Sequence, residues 1–126
     1  MRVGVISDVH SNVIALREVV SYLEEKRCDY YILTGDYVSD TPYTEETMEF
    51  LHDFLNSHKC FVLRGNREEY MLNQREARRN NNVSEFWLRN SASGNLLYTY
   101  ERLMDRDWEL FERLPITMKV SIEGFP

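Results

Sequence analysis

Apolar residues fall in two spacings along this chain, and the spacing switches at regular intervals. Val3-Gly4-Val5-Ile6, Tyr30–Thr34 and Cys60–Leu63 are short, dense apolar runs, the pattern of buried parallel strands. Between them the period becomes helical. Val13, Leu16, Val20 and Leu23 share one face from about Asn12 to Lys26, with Ser11 or Asn12 as N-cap. Met48, Leu51, Phe54 and Leu55 form a second stripe, capped by Thr44, with Glu45 and Glu46 in the first turn and an end near Asn56. Residues 1–64 therefore read β-α-β-α-β, a parallel unit.

The pattern then changes. Glu68–Arg79 is a charged helix, broken by Asn80-Asn81-Asn82. Ser84–Asn90 and Asn95–Met104 are further helices rich in aromatics, and Asp105 caps a short helix ending at Leu114, before Pro115. Ile116–Ile122 alternates like a half-exposed strand, and Gly124-Phe125-Pro126 reads as a turn.

The chemistry sits where the strands end. Asp8 and His10 follow the first strand, Gly35-Asp36 the second, and Gly65-Asn66-Arg67 the third. A parallel sheet gathers Asp8, His10, Asp36 and Asn66 at the carboxyl ends of its strands, where open α/β sheets bind ligands. The bland alternative is that Asp8, Asp36 and Asn66 merely cap helices; capping alone requires neither His10 nor the glycines. Mixed oxygen and nitrogen donors suit Mn²⁺, Fe²⁺, Zn²⁺ or Ni²⁺ better than Ca²⁺. Two such cations about 3.5–4 Å apart activate water and clamp both oxygens of a phosphoryl displacement.

These motifs, in this order and context, resemble the calcineurin-like metallophosphoesterase superfamily, in particular its small bacterial and archaeal phosphodiesterase branch. The likeness is close over residues 3–67 and looser beyond. It implies a β-sandwich flanked by helices, of which this chain is the N-terminal part, a single domain incomplete at its C-terminus. It implies hydrolysis of a phosphomonoester or phosphodiester by a dinuclear divalent-metal centre. Asp8 and His10 then serve the first metal, Asp36 bridges, and Asn66 serves the second. The family usually has a histidine acid where Arg67 stands. A guanidinium keeps its proton, so Arg67 would instead stabilise phosphoryl charge. The family's remaining histidine ligands lie in the later half of the domain. The chain alone is therefore expected to be a poor catalyst that self-associates through an open sheet edge. The rival reading is a non-catalytic protein-interaction module on the same fold. A nucleotide-binding regulator is weaker still, because no Gly-rich phosphate loop occurs.

The rest of the composition narrows the partners. A net charge of -6 argues against an extended nucleic-acid surface or an anionic membrane. Val3–Ile6 is too short for a signal peptide and no run reaches transmembrane length, which predicts a cytoplasmic protein. Cys28 and Cys60 read as spectator thiols. His52 and His58 read as solvated surface residues on or just past the second helix, out of reach of the site. Arg75, Arg78 and Arg79 read as a solvated helix face, and Trp87, Tyr98 and Tyr100 as packing or a cap over the site.

Overall fold

The computed structural model describes residues 1–122. Strands β1 (Val3–Ile6), β2 (Tyr30–Leu33) and β3 (Cys60–Val62) alternate with helices α1 (Val13–Glu25) and α2 (Thr44–Ser57). They form one parallel sheet in the order β1-β2-β3, with Val3 opposite Tyr30 and Tyr31 opposite Cys60. Helices α3 (Asn66–Arg79), α4 (Gly94–Arg102) and α5 (Asp105–Arg113) follow. The β-α-β-α-β reading holds to within a few residues at each boundary.

Asn12 is the N-cap of α1, its Oδ1 accepting from Ala15 N at 3.1 Å. Ser11 instead turns inward, and its Oγ meets Thr44 Oγ1 at 3.3 Å. Thr44 is thus the buried first residue of α2 rather than its cap.

One face of the sheet is covered. Ile6, Tyr31 and Leu33 pack with Leu16 and Val20 of α1, Met48, Leu51 and Phe54 of α2, and Phe111 of α5 in one core cluster. Strand side chains alternate between faces, so the opposite face carries Val3 and Val5, exposed at 36% and 60%. Strand β1 is therefore buried on one face only, where its apolar run predicted burial on both. At the other edge, Arg64 ties β3 to α5. Its backbone N–H donates to Pro115 O, and its guanidinium donates to the Phe111 and Glu112 carbonyls at 2.9 and 3.0 Å. Those are the last-turn carbonyls of α5, which need donors.

Three local expectations are corrected. Ser84–Asn90 is not an α-helix; only Val83–Glu85 makes a 3₁₀ turn. The Gln74 side chain donates to Glu85 O and accepts from Trp87 N, taking backbone groups a helix would have paired. Ile116–Ile122 forms no strand, since its backbone has no ladder partner among the described residues. Arg75 and Arg78 are not solvated. Arg75 lies over Trp108 at 4.6 Å and pairs with Glu112, while Arg78 lies between Phe86 and Tyr100 at 4.7 and 5.3 Å. They fasten α3 to the aromatic group Trp87, Tyr100, Trp108 and Phe111, whose rings meet edge to face. Arg79 alone of the three is solvated. The expected turn at Gly124–Pro126 lies outside the described residues.

Candidate metal centre

The loops after β1 and β2 prolong the sheet's hydrogen bonding past the strands. Asp8 N donates to Gly35 O, His10 N to Asp36 O and Ser11 N to Tyr37 O, the last two at 2.9 and 2.8 Å. Several non-glycine residues of these loops take positive φ: Asp8 (56°), His10 (47°), Ser11 (57°) and Asp36 (59°), then Ser39 (82°) and Asp40 (75°). Sparsely populated backbone gathered at one place is the usual sign of a functional site.

The third loop is locked to the second. Gly35 has φ 110°, and a Cβ on it would run into the Gly65 backbone. A Cβ on Gly65 would strike Asp36 N and come within 2.5 Å of Asp36 Oδ1. Both glycines are thus required by close approach of the two loops, more than by the tight turns that sequence suggests. Glu68, fully buried, fastens the same junction. Its Oε1 accepts from Asp36 N at 2.8 Å and Gly65 N at 2.9 Å, and its Oε2 from Tyr37 N at 2.9 Å. Burial pushes its carboxyl up to about 7, against the three N–H donors, which favour the anion. The Tyr37 hydroxyl donates to Leu63 O, just past β3, at 2.6 Å and lies 3.1 Å from Leu33 O at the end of β2. Burial raises its pKa above the ordinary tyrosine value.

On this frame Asp8, His10 and Asp36 converge. One ligand atom from each lies within 4.8 Å of the others, with His10 Nε2 3.5 Å from Asp8 Oδ1. Two carboxylates and an imidazole at that spacing can hold a divalent cation. Asn66 opens α3 beside them: the next residue, Arg67, donates its backbone N–H to Asp36 Oδ1 at 3.0 Å. The Arg67 side chain lies over Tyr70 and reaches Asp40 Oδ2 at 3.4 Å. Sequence reasoning missed Asp40 and Glu68. Asp40 follows its strand by seven residues, and Glu68 reads from sequence as an ordinary first-turn acid.

The other histidines do not reach this cluster, as expected, but they are not solvated. His52 Nε2 bonds the buried Asp107 at 2.8 Å; the other oxygen of Asp107 accepts from Met104 N at the start of α5. The His58 ring stacks on Phe54 and bonds Glu24. Tyr98 reaches Pro42, in the loop that carries Asp40, whereas Trp87 and Tyr100 serve packing.

The model of the calcineurin-like phosphoesterase family matches residues 1–122. The chain belongs to that family. Among solved structures, the chain is similar to the hypothetical protein PH1004 from Pyrococcus horikoshii OT3. The TM-score is 0.74 and the identity 22%, over 90% of this chain and 48% of that one. It is also similar to a metallophosphoesterase from Sphaerobacter thermophilus, with TM-score 0.68 and 26% identity, over 95% of this chain and 43% of that one. The chain thus spans less than half the length of either. No curated protein matches it. The fold is the α/β fold of metallophosphoesterases. Among the described residues it contains one parallel sheet, and no helix long and apolar enough to cross a membrane.

Proposed function

We propose that this chain supplies the first metal-binding half of a metal-dependent phosphoesterase, acting on a phosphomonoester or phosphodiester. The observation that carries the reading is the convergence of Asp8, His10 and Asp36 on one point within a phosphoesterase fold. The three residues fit a divalent ion in donor type and spacing, and Asn66, the first residue of α3, would offer a carbonyl oxygen to a second. When bound, such ions activate water and neutralise phosphoryl charge. The chain's own residues do the rest. Asp36 is held by the Arg67 N–H, so one of its carboxylate oxygens is oriented toward the β3 loop. Asp8 is exposed at its side chain, which leaves the cluster open to a substrate from solvent. Arg67 presents a permanent cation with a planar donor fork, suited to gripping phosphoryl oxygens and not to donating a proton. A second ion would have only Asp36 and Asn66 from this chain, and catalytic metals commonly take about three protein ligands.

The reading is tested by Mn²⁺ titration calorimetry, with hydrolysis of aryl phosphate mono- and diesters measured in parallel. The chain is expected to bind about one Mn²⁺ tightly and to hydrolyse neither ester appreciably. Asp36→Asn should abolish tight binding, whereas Asp53→Asn on the exposed face of α2 should not alter it. Equal affinities for those two variants would overturn the assignment. So would robust hydrolysis by the chain with two ions bound.

A further inference from the structure

Asp40 belongs to none of the strand-end motifs, yet its carboxylate touches two groups of the site. Oδ2 lies 3.2 Å from His10 Nδ1 and 3.4 Å from Arg67 Nη2. His10 Nδ1 is shut off from solvent and has no hydrogen-bond partner, Asp40 Oδ2 being the carboxylate oxygen beside it. The ring's other nitrogen, Nε2, faces Asp8. An imidazole that offers one nitrogen to a metal ordinarily donates its other N–H to a carboxylate or carbonyl, which fixes both tautomer and ring orientation. The loop is built to hold Asp40 there. Ser39 N donates to the buried Ser11 Oγ at 3.0 Å, and Thr41 Oγ1 donates to His10 O at 2.5 Å. Ser39 and Asp40 take positive φ in succession. Aspartate tolerates that conformation, so the backbone alone assigns no role; the oxygen shared between His10 and Arg67 does.

We propose that Asp40 is the positioning residue for His10, holding the ring as its Nδ1–H tautomer with Nε2 free toward Asp8 and Asp36. The inference rests on the metal reading above. Its test separates the two. The metal-free chain, held near pH 9, well above the ordinary imidazole range, is studied by long-range ¹H–¹⁵N correlation of its histidine rings. His10 in the parent should be a single Nδ1–H tautomer. Asp40→Gly keeps the left-handed backbone and removes the carboxylate; its His10 should become a mixture of tautomers, and Mn²⁺ affinity should fall about 10–100-fold. Asp40→Asn keeps shape and an acceptor without charge, and should lie between. It also decides the matter on the same readouts if the glycine variant fails to fold. Arg67→Ala removes only the other partner and should leave the tautomer unchanged. An Nε2–H tautomer in the parent overturns the proposal, as does an unaltered tautomer in Asp40→Gly. A parent with the Nδ1–H tautomer that takes up no Mn²⁺ supports the role of Asp40 and overturns the metal reading instead.

Discussion

Replacing Glu68 with alanine strands three backbone donors at once. Asp36 N, Tyr37 N and Gly65 N each have a Glu68 oxygen within 2.9 Å, and the side chain is fully buried. A buried donor left without a partner costs about 1–3 kcal/mol. Some water entry and relaxation hold the sum toward the lower end, so Glu68→Ala should lose about 3–5 kcal/mol. That is a large share of the roughly 5–15 kcal/mol of a typical domain. Glu68→Gln can keep its carbonyl on Asp36 N and Gly65 N, but its amide nitrogen then faces Tyr37 N–H, donor against donor. Its loss should be about 1–3 kcal/mol. Urea unfolding followed by the fluorescence of Trp87 and Trp108 gives both values. A Glu68→Ala protein within about 1 kcal/mol of the parent, or one more stable than Glu68→Gln, would refute the view that these three bonds join the loops.

Two further outcomes follow from the same geometry. Gly65→Ala drives a methyl into Asp36; it should cost about 1–3 kcal/mol in urea unfolding and weaken Mn²⁺ binding, whereas overpacking at a site remote from the loops would leave metal affinity intact. Burial pushes the Cys60 thiol from 9.0 up to about 11, so its alkylation by iodoacetamide near pH 8 should be about 100-fold slower than that of a free thiol. Because the folded state retains this proton after the unfolded chain has lost it, the thiol's contribution to stability is present below pH 9.0 and falls away as pH rises toward about 11; mass-spectrometric labelling and urea unfolding across that range check both.

The first half of the fold was legible because each element carries its own local signal. The strands are dense apolar runs, α1 and α2 have continuous stripes, and the polar residues at the junctions mark where the sheet turns its ends to solvent. The second half was less so. Phe86–Asn90 owes its irregular path to the Gln74 side chain, a contact between separate segments that no local period encodes. The arginines of α3 read as a charged surface, and only the arrival of Trp108, Phe86 and Tyr100 makes them packing groups. His52 likewise needs Asp107, which is 55 positions away. At the site, Asp8, His10 and Asp36 were visible as residue types after strands. Asp40 and Glu68 were not, because their roles depend on how two loops lie against each other.

The frame that carries the site is almost independent of the side chains it displays. Asp8 and His10 join it through their backbone groups, bonded to Gly35 O and Asp36 O. The junction itself is closed by Glu68, Tyr37 and two glycines, none of which offers a metal ligand. Substituting Asp8 or His10 would therefore remove candidate metal donors while sparing these backbone bonds, whereas Asp36 also accepts from Arg67 N across the loops. A few substitutions at such positions would thus remove candidate donors and keep the shape. The residues that hold the loops together here, Gly35, Gly65 and Glu68, are different from the candidate metal donors Asp8 and His10. A descendant keeping the first set and not the second would still assemble, free to be recruited for contacts alone.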